Sequence, residues 1–204
     1  MKPLAVNPAK IIADLIMKGS KVKVINVLND NMRLKVFKIL KKMGGKIKIN
    51  KISSDKCEIF AEYSYLKNIY LSKNDSTALI DEFPILSIAA ACGQGKMVMR
   101  GLGELRFKES DRISAISDGL KRRGVCISEK QDKLTIFGKG NQNIKGGSII
   151  DASNDHRIAM SFAILGSITE ESVEIRGASS IKTSFPNFID LMNSLGLNIS
   201  ILKS

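Results

Sequence analysis

Three times along this chain, a run with apolar residues at helical spacing stops at a glycine and gives way to a short alternating pattern. The first copy runs from Lys35-Val36-Phe37 to Met43-Gly44-Gly45, with the alternation at residues 46–49. The second runs from Ile113 through Leu120 to Gly124 and into Val125-Cys126-Ile127; the third runs from Phe188 through Leu195-Gly196 into residues 197–201. Glycine directly after the last periodic residue is the left-handed helix stop, and period two afterwards is the strand signal. A second helix–glycine–strand phrase precedes each copy: residues 11–17 with Gly19 and 22–27, residues 85–91 with Gly95 and 97–100, and residues 158–165 with Gly166 and 173–176. The period is roughly 70–80 residues, longer than the common solenoid units. Strand patterns at residues 57–59 and 133–137, and at 67–71 and 148–150, complete the phrase. The expectation is an α/β fold of three βαβαββ units around one core, the first unit truncated. Right-handed crossovers predict mostly parallel sheets covered by helices. A two-domain alternative places a boundary near residues 72–77. Residues 138–147, rich in Gly, Asn and Lys, read as the best loop.

Composition narrows the class. The chain has 204 residues, enough to bury a core, and a net charge of +12. Three cysteines without a CxxC pair, and a single histidine, supply no zinc set, so no metal is expected. Ordinary thiols, no signal-peptide pattern and no apolar run of membrane length point to a cytoplasmic protein with no membrane partner. The charge is uneven: residues 1–52 hold thirteen Lys and Arg, Lys2 among them, against only Asp14 and Asp30. Such a segment suggests nucleic acid. Phe37 is its one aromatic, so no stacking platform is offered, and the lysines fall on polar faces of amphipathic elements. Small anionic substrates, or an acidic partner surface, suit the charge better.

Chemistry concentrates at helix starts. Asp81-Glu82-Phe83-Pro84 opens a helix of small apolar residues, and by itself Asp81 reads as a cap. Arg106-Phe107-Lys108-Glu109-Ser110-Asp111-Arg112 leads into the next helix, and Asn154-Asp155-His156-Arg157 opens another. Capped, solvated helix starts are the plain reading of both. Arginine is unusual there, however, because the helix dipole disfavours cations at that end. In a three-sector fold such starts would converge, where backbone N–H groups favour phosphate and carboxylate. Arginine binds such groups as a fork and lysine as a point charge, and a carboxylate among them is placed for acid–base work. Neither a GxSxG elbow nor a Walker loop occurs.

These strings, with Thr183-Ser184-Phe185-Pro186, occur in an order and spacing that resembles the C-terminal half of the 5-enolpyruvylshikimate-3-phosphate synthase family. The resemblance covers nearly the whole chain from about Ile11 onward. It implies one domain of the two-domain enolpyruvyl transferase fold, with the active site in the cleft between domains and no cofactor. It implies transfer of the enolpyruvyl group of phosphoenolpyruvate to the 5-hydroxyl of shikimate-3-phosphate, with release of phosphate. Asp81 would contact that hydroxyl and accept its proton, Lys108 would bind shikimate-3-phosphate, and Glu109 would take part in proton transfer at the methylene. Arg112 and Arg157 would clamp the phosphoenolpyruvate anion, with His156 beside them.

Two departures stand out. Many family members carry lysine two places before Phe-Pro; here that place is Thr183 and Lys182 is displaced by one, so Lys182 is both a site candidate and an ordinary loop lysine. The family's N-terminal motifs do not occur, so the reading is of one C-terminal domain over residues 1–204, which works with a separately encoded N-terminal half or is a fragment of a working enzyme. The alternative is a truncated, inactive remnant or an anion-binding module of the same fold.

Overall fold

A computed structural model describes residues 8–140 and 144–202; Lys2 and the centre of the expected 138–147 loop lie outside the described residues. Three apolar helices form the centre: α1 (Pro8–Ile16), α4 (Phe83–Cys92) and α6 (His156–Gly166). Each is the first helix of one copy of the repeated phrase, and the three pack against one another. Helix α4 is apolar on every side, and residues 83–91 are all buried, as a helix with no polar face requires. One apolar cluster runs from Ala9 to Leu197 and includes Leu71 and Leu79. The suggested boundary at 72–77 is instead a short helix, α3 (Lys73–Thr77), seated between those two core residues.

Sheets wrap this centre. Strands β1 (Lys21–Leu28), β2 (Lys46–Lys51) and β3 (Lys56–Glu62) order as β1-β3-β2, with α2 (Lys35–Lys42) as the crossover. The second copy repeats this with β4 (Gln94–Arg100), α5 (Arg112–Lys121), β5 (Cys126–Lys130) and β6 (Lys133–Lys139), ordered β4-β6-β5. Every hydrogen-bonded pair in these two sheets is antiparallel, which corrects the expectation of mostly parallel sheets. The crossover does leave β1 and β2 running in the same direction, but the hairpin from β2 folds β3 back into the gap between them. Cys57, Ile59 and Ala61 of β3 alternate inward onto the core. Parallel pairing survives where a strand leads into a core helix: Lys67 bridges Gln94, Tyr70 bridges Val98, and β7 (Ile149–Asp151) pairs with β8 (Glu174–Arg176).

The helix stops behave as read. Gly44, Gly124 and Gly196 take φ of +91°, +72° and +94°. Behind each, paired backbone bonds close the last turn, as in Gly44 N–H to Lys41 O at 3.0 Å and Gly45 N–H to Leu40 O at 2.9 Å. Gly166 departs from the reading, because it lies inside α6. The third copy also departs: after α7 (Ile181–Ser184) and α8 (Phe188–Ser194), the expected strand at 197–201 is absent from the described residues.

Candidate active site

The starts of the three core helices converge. A cavity of about 330 Å³ is walled by Pro8 and Ala9 of α1, Pro84 and Ile85 of α4, and His156, Arg157, Met160 and Ser161 of α6. Arg33, Asp81, Glu82, Ser184 and Phe185 complete the wall. The N-terminal ends of α4 and α6 thus face one space beside the first described turn of α1, and positive helix ends there favour anions.

Asp81 is the hub. It sits in a single 3₁₀ turn, Ile80–Glu82, just ahead of α4. Its carboxylate lies 3.4 Å from Arg112 Nη1 and 3.9 Å from Lys108 Nζ, while Arg157 Nη2 is 3.9 Å from its other oxygen. Arg157 Nη1 also donates to the Asp81 carbonyl at 2.8 Å and pairs with Glu82 at 3.5 Å. Burial pushes the Glu82 carboxyl upward, and the Arg157 charge opposes this.

Behind the hub lies a buried pair. Arg112 is the first residue of α5, and its side chain is 1% exposed; Asp155, the N-cap of α6, is 0% exposed. Arg112 Nε donates to Asp155 at 2.7 Å and Nη2 to Glu109 at 2.5 Å. Asp155 also accepts from the Arg157 and Ile158 backbone N–H groups and from the Ser110 hydroxyl. Burial acts to raise the Asp155 carboxyl, but these bonds and the Arg112 charge outweigh it and hold the group below the ordinary range. Just upstream, Ser153 and Asn154 take φ of +49° and +58°, a left-handed turn uncommon for residues with a Cβ. Gly177, at φ of +66°, packs over their backbone N–H groups so closely that a Cβ there would lie 3.0 Å from Asn154 N.

The remaining candidates divide. Lys108 is held by Glu104, whose bond chiefly raises its pKa. His156 lines the cavity, and burial first, then the Arg157 charge, lowers its pKa, favouring neutral imidazole at neutral pH. Lys182 lies exposed on α7 and does not line the cavity, although its neighbours Ser184 and Phe185 do. Asp81, Lys108, Glu109, Arg112 and Arg157 form one charge network, and His156 shares the cavity wall. Sequence reading missed Glu82, Glu104 and Asp155 as members of the network and Arg33 as part of the cavity wall. Asp155 carried a signal, its N-cap position; the pairing with Arg112 across 43 residues did not. Among the described residues, no group of three or more His, Cys, Asp or Glu is disposed to hold a metal, and no helix is long and apolar enough to cross a membrane.

The architecture is that of the enolpyruvyl transferase fold; the enolpyruvyl transferase NikO from Streptomyces tendae superposes with a TM-score of 0.72 at 15% identity, over 94% of this chain and 42% of that one. Similarity narrows the class. The family model for EPSP synthase (3-phosphoshikimate 1-carboxyvinyltransferase) matches residues 9–192, and the chain belongs to that family. The 3-phosphoshikimate 1-carboxyvinyltransferase of Caulobacter vibrioides is 40% identical over 194 residues, covering 93% of this chain and 44% of that protein. The Coxiella burnetii protein of the same name is 39% identical over 193 residues, covering 93% and 43%. An EPSP synthase structure from Acinetobacter baumannii aligns with a TM-score of 0.90 at 37% identity, over 96% of this chain and 46% of that one. The chain therefore spans less than half the length of the relatives it matches.

Proposed function

We propose that the chain is the C-terminal domain of a 3-phosphoshikimate 1-carboxyvinyltransferase, forming one wall of the cleft where phosphoenolpyruvate and shikimate-3-phosphate react. The proposal takes the other half of the relatives' length as the facing wall, joined or separate. One observation carries it: a half-exposed carboxylate, Asp81, within 4 Å of three cationic side chains at the mouths of convergent helices. That is the equipment for holding anions against one another beside a base.

In this reading Asp81 takes the proton of the substrate 5-hydroxyl as its oxygen bonds to the central carbon of phosphoenolpyruvate. Glu109 takes part in proton transfer at the methylene carbon, which gains a proton on addition. Phosphate then leaves by C–O cleavage, and loss of a proton from that methyl group restores the double bond. Lys108 holds shikimate-3-phosphate; Arg157, with His156 beside it, and Arg112 clamp phosphoenolpyruvate. Arg112 reaches the anion only if Asp81 and Glu109 yield their contacts, and both are about half exposed and able to swing away. Lys182 is left as a loop lysine. Needing no metal or organic cofactor, the chemistry suits a cytoplasmic protein, in keeping with free Cys57, Cys92 and Cys126.

The test is phosphate release from phosphoenolpyruvate and shikimate-3-phosphate by the chain alone and with a relative's N-terminal half. Release only with that half supports the reading. Silence with a half shown to associate and to be competent favours an anion-binding module that turns nothing over.

A further inference from the structure

We propose that Arg33 is a further substrate-binding residue, a second arginine on the cavity wall that takes the phosphate group of an anionic substrate. The inference rests on the reading of the site just given, and it concerns a residue outside every motif that led to that reading.

Arg33 belongs to the first copy of the repeat, yet it lines the same cavity as His156 and Arg157 of the third. Its place in the repeat is informative. The loop between β1 and α2 is the counterpart of the loop between β4 and α5, which carries Lys108 and Glu109 and leads into Arg112. The same step of the repeat thus delivers cations to the same end of the molecule twice.

Local structure fixes the backbone but leaves the charge uncommitted. The Arg33 N–H donates to Asp30 Oδ1 at 2.9 Å, and the next residue, Leu34, is buried in the core. Its guanidinium makes no ion pair or hydrogen bond among the described residues. Arg157 is engaged by Asp81 and Glu82, and Arg112 by Asp81, Glu109 and Asp155. The cavity's own carboxylates, Asp81 and Glu82, are taken up by Arg157, so the Arg33 guanidinium is left without a counter-charge among the described residues. Phosphate satisfies it, because its oxygens match the guanidinium fork and helix N–H groups. Phosphoenolpyruvate and shikimate-3-phosphate both carry that group.

Titration calorimetry on the full chain with phosphoenolpyruvate, shikimate-3-phosphate and inorganic phosphate tests this. Arg33→Ala is expected to weaken at least one organic phosphate about tenfold or more, as loss of a charge-assisted fork does. Arg33→Lys should recover part of the loss, and the ligand whose affinity falls identifies the phosphate concerned. Lys41→Ala removes an equal charge from the far end of α2 and should change nothing. Equal losses in Arg33→Ala and Lys41→Ala would mean a diffuse field and overturn the inference. If Arg157→Ala weakens binding and Arg33→Ala does not, Arg33 falls while the proposed function stands. Failure of the wild-type chain to bind any of the three, with a relative's associated and competent N-terminal half present, overturns both.

Discussion

Arg112 Nε lies 2.7 Å from Asp155 Oδ2, joining the first residue of α5 to the N-cap of α6 with both side chains sealed from water. Removing one partner from such a pair strands the other charge, which costs more than the pair contributes when intact. Asp155→Ala also removes the cap on the Arg157 and Ile158 N–H groups. It is expected to destabilise the fold by about 3–5 kcal/mol. Asp155→Asn keeps the cap geometry and should cost less. Chemical denaturation of the two variants checks the order.

The same burial separates Arg112 from Arg157. Arg157 is 30% exposed and Arg112 is 1% exposed. Arg157→Ala should leave the thermal midpoint within a few degrees of wild type while weakening phosphoenolpyruvate binding. Arg112→Ala should lower the midpoint substantially, since Asp155 is left buried and unpaired. A stable, well-folded Arg112→Ala protein would contradict the structural role given to the pair.

Gly119 offers a sharper contrast. In an exposed helix interior, Gly→Ala stabilises by roughly 1 kcal/mol. A methyl at Gly119 of α5, however, would overlap the ring of Phe162 on α6. Gly119→Ala is expected to destabilise by about 1–3 kcal/mol through overpacking. Combining it with Phe162→Leu should recover part of the loss in a double-mutant cycle, whereas simple additivity would show that the two sites do not touch.

Asp14 is a buried acid on α1 whose Oδ2 has no hydrogen-bond partner among the described residues. Burial raises its pKa from 3.8 to about 6, against a smaller opposing effect of Lys10. The folded state therefore binds the proton more tightly than the unfolded chain. Stability from this group is greatest below the unfolded pKa and is lost as pH rises through about 6. Asp14→Asn should flatten that fall and raise stability near pH 7.5 by about 1–3 kcal/mol. Thermal midpoints from pH 4 to 8 would show it, and unchanged pH dependence in the variant would place the titration elsewhere.

The sequence by itself determined most of the elements and three of the helix stops, though not the short helix α3 or the absence of a strand at 197–201 among the described residues. Helical spacing ending at Gly44, Gly124 and Gly196 is a local instruction, because a left-handed residue closes a helix through bonds only a few residues away. The order of helix and strand, the three buried helices and the charged strings at their mouths follow from such signals. Only the tertiary structure decided how those pieces meet. Whether β3 lies beside β2 alone or is inserted between β1 and β2 turns on a hairpin folding into the gap, and alternation within a strand is identical in both cases. Arg112 and Arg157 look alike in sequence, each in the first turn of a helix beside an acid. They differ because α5 packs against α6 and closes water away from one guanidinium but not the other. Arg33 had no motif at all. Convergence of three helix starts, which no local pattern encodes, placed it at the cavity.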